Sequence, residues 1–206
     1  YDGVKADSIS RNEKPFAEDK IKIAFCGSIT SFKDQEQLIR AFCLLPDEDK
    51  RAFKVDFWGN GNPEYMKHLQ DLIEQNRMES IFTFKGYSNN LYQELSHYDI
   101  GMNCSHSEAF GRVTAEYMLA GLLTVASDTG ANVELIQHEK TGLIFKKSDD
   151  QSLKKCLSWI LKNKSKCVEL AENGAIFARK NYAIEKNIEQ FNTFYKDVLK
   201  DDKRRG

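Results

Sequence analysis

"IGMNCSHSEAFGRVTAEYMLAGLLTVAS", residues 100–127, decides the fold. Its two ends, 100–104 and 122–127, are short apolar runs of strand type. Between them Gly111 opens and Gly121 closes a segment in which Val113, Tyr117 and Ala120 share one helical stripe. Strand, helix and strand at this short spacing make a crossover unit, and crossover units build a parallel sheet covered on both faces.

The same alternation continues on either side. "IKIAF" (21–25) is a strand that turns at Gly27 into the helical run "DQEQLIRAFCLL", where Leu38, Ile39, Phe42 and Leu45 form one stripe. "FKVDFWG" from Phe53 is the next strand. Pro63, a favoured first helical residue, then opens a helix carried by Tyr65, Met66, Leu69, Leu72 and Ile73. "IFTFKG" (81–86) and "GLIF" (142–145) complete a set of about six strands, which predicts an α/β, Rossmann-like, doubly wound parallel sheet. After Phe145 only helices are expected, over 150–163, 166–181 and 184–200. Residues 1–20, polar with Gly and Pro, read as a linker, 21–182 as the Rossmann-like domain, and 183–206 as a terminal helix with a basic tail.

Composition narrows the function. Lys and Arg number 30 against 31 Asp and Glu in 206 residues, so no bulk field recruits nucleic acid, which is excluded as a partner. "KDDKRRG" at the end is a solvated basic cluster. Five widely spaced cysteines without a CxxC pair argue against a disulfide framework and a zinc site. The apolar runs fall far below the roughly 20 residues of a spanning helix, and no signal-like segment opens the chain. A cytoplasmic location is expected, with membrane association left open.

In a sheet of this kind ligands bind where strands turn into helices. Four loops qualify: "CGSITSFKD", "WGNGNP", "NCSHSEAFGR" and "SDTGAN". Within the third, Glu108 and Glu116 flank a helix entry at Gly111, whose open amides and dipole suit a phosphate. From spacing alone, Glu108 reads as a helix cap and Glu116 as a solvated face residue. Arg112 and Lys33, however, stand at helix starts, where the dipole disfavours cations. Such local violations point to a shared anionic ligand.

Residues 103–145, "NCSHSEAFGRVTAEYMLAGLLTVASDTGANVELIQHEKTGLIF", resemble the core signature of the retaining glycosyltransferases of family 4, the group 1 transferases of two-domain GT-B architecture. "GSITSFKDQEQLIRAF", "FWGNGNPEYMKHL" and "FKGY" resemble further elements of that family, and "YDGV" its interdomain hinge. The likeness covers nearly the whole chain as the carboxyl-terminal half of such an enzyme. It implies a metal-independent hexosyltransferase that needs no cofactor and takes a nucleoside diphosphate sugar, a UDP sugar first. Its acceptor would be held by the protein's own N-terminal domain, absent from this chain, so the isolated fragment is expected to be inactive.

By the same resemblance Glu108 binds hydroxyls of the donor sugar and Glu116 those of the ribose. The amides around Phe110 and Gly111 meet the sugar and diphosphate, Lys33 pairs with the phosphates, and the main chain near Gly86 and Tyr87 contacts the base. Lys33 and Glu108 are the catalytic candidates. Many members carry Arg after the glycine of the first loop; Ser28 stands there in this chain, and Arg112 is the candidate replacement. Two other readings stay open: a sugar-nucleotide epimerase of GT-B fold, and a non-catalytic sugar-nucleotide-binding module. "GNGNP" reads as a tight turn bordering the site, and His106 as incidental. No metal is expected at His68, His97 or His138. Phe191, Phe194 and Tyr195 are expected to pack in a core.

Overall fold

The structure, a computed structural model, describes Val4 and residues 6–182. The terminal helix expected at 184–200 and its aromatic residues lie outside the described residues. Among the described residues six strands form one parallel sheet: β1 (Ile21–Cys26), β2 (Phe53–Trp58), β3 (Phe82–Gly86), β4 (Ile100–Asn103), β5 (Leu123–Ser127) and β6 (Leu143–Phe145). Their spatial order is β3-β2-β1-β4-β5-β6. Chain order therefore reverses between β1 and β4, and this switch point leaves a crevice beyond their carboxyl ends.

Among the described residues eight α-helices connect or cover the strands: α1 (Gln35–Cys43), α2 (Asp47–Lys50), α3 (Pro63–Gln75), α4 (Leu91–Glu94), α5 (Arg112–Leu119), α6 (Asn132–Leu135), α7 (Asp150–Lys162) and α8 (Lys164–Asn181). The run from 100 to 127 is thus β4, α5 and β5, as its pattern predicts. Pro63 occupies the first turn of α3, and the Asn62 side chain caps that helix by accepting from Tyr65 N at 3.0 Å.

Alternation along the strands divides the core in two. Ile21, Ile23 and Phe25 of β1, with Phe53, Val55 and Phe57 of β2, join Leu38, Phe42 and Leu157 on one face. Ala24, Cys26 and Trp58 point the other way, against Tyr117, Met118 and Ala178. Both faces are buried, which is why the strands read as nearly continuous apolar runs.

The amino-terminal segment packs on both faces, with Val4, Ala6 and Ile9 on the second and Phe16 on the first. Val4, Ala6, Ile9 and Phe16 are buried, and Asn12 donates through its main chain to Ala120 O at 2.9 Å. The Asp99 carboxylate accepts from Phe16 N at 2.5 Å and from Lys22 N at 2.8 Å, joining this strap to the start of β1. Among the described residues no helix is long and apolar enough to cross a membrane.

Candidate active site at the strand switch point

The crevice between β1 and β4 is a cleft of about 270 Å³, open to solvent. Cys26 and Gly27 from β1 and its loop, Lys33, and Glu108 line one part of it; Leu91, Arg112, Val113 and Glu116 line the rest. Its volume is just under the lower end of the range for complete small-molecule sites, roughly 300–1,000 Å³, consistent with one wall of a larger pocket. The two glutamates singled out in the sequence share this cleft, together with Lys33.

Glu108 is held by three donors on a single oxygen. Its Oε1 accepts from Lys33 Nζ at 2.5 Å, Ser105 Oγ at 2.8 Å and Asn103 Nδ2 at 3.3 Å. Its main chain is fixed from below, where Glu108 O accepts from Ala131 N at 2.8 Å. Gly130, at φ +49°, makes this approach possible, because a Cβ there would stand 2.1 Å from Glu108 O. Ser127 Oγ and Thr129 Oγ1 both donate to Ser105 O, at 2.8 and 3.0 Å. The "SDTGAN" loop therefore acts as the bed on which the Glu108 loop lies.

A second set of contacts joins that loop to the one after β1. His106 donates through its main chain to Phe32 O at 3.0 Å, and its Nε2 lies 3.4 Å from Asp34 Oδ2. His106 thus has partners, and its sequence position alone did not reveal them. Asp34, buried, caps α1 by accepting from Gln37 N at 3.1 Å. Burial raises its pKa from the ordinary range, against the opposing pull of Arg40 and His106. The first loop is braced in turn by the end of β2 and "GNGNP": Gly27 N donates to Trp58 O at 2.9 Å, and Ile29 N to Asn60 O at 3.0 Å. A Cβ on Gly59 would stand 2.0 Å from Gly27 O, so only glycine permits this contact. Gly59 N donates to Gly86 O at 2.8 Å, which sets Gly86 beside Gly59 along the carboxyl edge of the sheet.

Glu116, one and a half turns into α5, is only 9% exposed. Its Oε1 accepts from the Tyr92 hydroxyl at 2.7 Å and from Arg112 Nε at 3.1 Å. Arg112 therefore turns along its own helix toward Glu116, and Lys33 turns to Glu108. The dipole violations read in the sequence are each offset by a carboxylate of the motif, without a shared anion. Gly111 caps α5 at φ +61° with no side-chain bond to the first turn, whose amides stay open to a ligand or to solvent. Phe110 is 60% exposed and Tyr87 70%, while Ser28 lies at the surface beside Gly27. Cys26 forms part of the floor; burial pushes its thiol up to about 12, so it stays protonated.

Sequence reasoning missed Tyr92 and the polar bed of Asn103, Thr114 and Asn132. Asn103 Nδ2 donates to Thr114 Oγ1 at 3.0 Å, and Thr114 Oγ1 to Asn132 Oδ1 at 2.8 Å, all three residues buried. Polar side chains predicted at buried strand-end and helix positions were the available signal, because such groups need partners.

A doubly wound sheet with a carboxylate-lined cleft at its switch point defines a Rossmann-like α/β architecture. Residues 7–177 match the family model described as "Glycosyl transferases group 1", and the chain belongs to that family. It is similar to N-acetyl-alpha-D-glucosaminyl L-malate synthase of Bacillus anthracis, 26% identical over 194 residues, covering 94% of this chain and 50% of that protein. The chain thus spans about half the length of this relative. Among solved structures it is similar to Anabaena HepE in complex with UDP and glucose, with TM-score 0.84 and 20% identity over 95% of this chain and 55% of that one. It also resembles the C-terminal domain of the group 1 glycosyltransferase LpcC of Francisella tularensis, with TM-score 0.80 and 20% identity over 88% of this chain and all of that domain. At these identities the structural likeness speaks for the fold.

Proposed function

We propose that the chain is the donor-binding domain of a retaining glycosyltransferase and takes a nucleoside diphosphate sugar in the crevice between β1 and β4. The observation that carries this reading is that Glu108, Glu116 and Lys33 line one cleft, with the open amides of α5 beginning between the two glutamates. A UDP sugar is the first candidate donor; the HepE complex with UDP and glucose supports it.

In this reading Glu108 accepts from the hydroxyls of the donor sugar and Glu116 from those of the ribose. A carboxylate accepts from two neighbouring hydroxyls, each charge-assisted bond contributing on the order of 1.5 to 3 kcal/mol. Either carboxylate would repel a diphosphate, so that group belongs with Lys33 and the amides near Phe110 and Gly111. The base lies along the main chain of Gly86 and Tyr87. With Ser28 in place of a cation and Arg112 directed at Glu116, Lys33 is the principal charge for the leaving group.

Catalysis in this scheme is electrostatic. Lys33 and the helix amides stabilise charge that develops on the departing diphosphate, and Glu108 orients the sugar. Neither glutamate has to move a proton. The acceptor would be held by the protein's own N-terminal domain, and the chain alone would bind donor but transfer little or no sugar.

Calorimetric titration of the folded chain with UDP, GDP and ADP tests the proposal. Binding to at least one of them is expected, with transfer appearing once the amino-terminal half is supplied. Failure to bind any of the three would overturn the donor-domain reading.

A further inference from the structure

Glu108 and Glu116 follow one pattern. Each has its protein donors on Oε1, and among the described residues no hydrogen bond falls on Oε2 of either. Each carboxylate lines the cleft, so one oxygen is fixed by the protein while the other is available to a ligand. What fixes Glu116 then sets where its second oxygen points.

Of its two donors, Arg112 is poorly placed for that task. Its side chain is 65% exposed and it reaches Glu116 through a single 3.1 Å contact along the same helix. Exposed ion pairs of this kind hold geometry weakly. The Tyr92 hydroxyl is closer, at 2.7 Å, and comes from a different element, α4. Tyr92 itself is anchored twice: its ring packs on the second core cluster, and its main-chain oxygen accepts from Ser10 N of the amino-terminal strap at 3.1 Å. Its neighbour Leu91 lines the cleft.

We infer that Tyr92 is a positioning residue for the nucleotide site: its hydroxyl fixes Oε1 of Glu116 so that Oε2 meets the ribose hydroxyls. The inference rests on the donor-site proposal above. Burial, and then the bond to Glu116, raise the pKa of the phenol, which therefore remains a donor at neutral pH.

Tyr92→Phe keeps the ring and removes only the hydroxyl, so the fold should survive, as unchanged thermal unfolding would show. UDP and 2′-deoxy-UDP are then titrated into the unaltered chain, Tyr92→Phe, Glu116→Ala and the double variant. The unaltered chain should prefer UDP, and Tyr92→Phe should lower that preference about threefold to tenfold. The double variant should be no worse than Glu116→Ala alone. A purely structural role would weaken both nucleotides equally. If Glu116→Ala loses the preference while Tyr92→Phe retains it in full, the inference is wrong and the donor site stands. If the folded, unaltered chain binds neither nucleotide nor GDP nor ADP, the donor reading falls and the inference with it.

Discussion

The ammonium of Lys33 lies 2.5 Å from Oε1 of Glu108, joining the loop that leaves β1 to the loop that leaves β4. These are the two strands at which the sheet changes direction, so the ion pair spans the crevice where this class of fold binds ligands. The pair is three-quarters or more sheltered at both ends, with side-chain exposures of 21% and 11%. In the proposed donor site a diphosphate would compete with Glu108 for this ammonium.

Two single substitutions separate the cations. Lys33→Ala should weaken UDP binding by about tenfold to 150-fold, the loss of one charged contact of roughly 1.5 to 3 kcal/mol. Arg112→Ala should cost less than about fivefold, because an exposed ion pair of this kind contributes on the order of 0 to 1 kcal/mol. Equal losses by calorimetry would show that Arg112 replaces the cation missing at Ser28.

Gly130→Ala should harm sugar recognition from outside the cleft. The added Cβ would stand 2.1 Å from Glu108 O, a main-chain atom that no side-chain rotation can move, so the Glu108 loop has to shift. Displacing the Glu108 carboxylate forfeits its charge-assisted bonds to the sugar, on the order of 1.5 to 3 kcal/mol each. UDP-sugar affinity should therefore fall much more than UDP affinity, with the two measured on the same folded preparation.

Asp99→Ala probes the strap. Its carboxylate is the partner of two main-chain donors, Phe16 N and Lys22 N, and truncation leaves both without it. At about 1–3 kcal/mol for each stranded donor, urea unfolding should report a loss of roughly 2 to 6 kcal/mol. An unchanged urea midpoint would mean that the strap is not held through Asp99.

Much of the fold was legible because it is written in local pattern. The strands of a doubly covered sheet are apolar runs, and the α5 crossover is bracketed by glycines at both ends. The paired glutamates and Lys33 were legible through the motif that carries the family resemblance, and the structure brings all three into one cleft. Tyr92 was not, because α4 is four residues long, too short for a periodic signal, and its bond to Glu116 spans 24 positions. The burial of Val4, Ala6, Ile9 and Phe16 was hidden for a related reason: a strap packs its apolar residues at irregular spacing. The Arg112–Glu116 pair has ordinary i,i+4 helix spacing, yet the dipole at the helix start drew attention to an external anion instead.

The central claim is that the two glutamates divide one donor between them, and titration of UDP and UDP-glucose into Glu108→Ala and Glu116→Ala tests it most directly. Should UDP-glucose not bind the unaltered chain, UDP-N-acetylglucosamine takes its place. Glu116→Ala should weaken both ligands by a similar factor, about tenfold or more, since the ribose is common to them. Glu108→Ala should leave UDP within about twofold and weaken only the sugar nucleotide. Equal loss of bare UDP in both variants would contradict the division of roles.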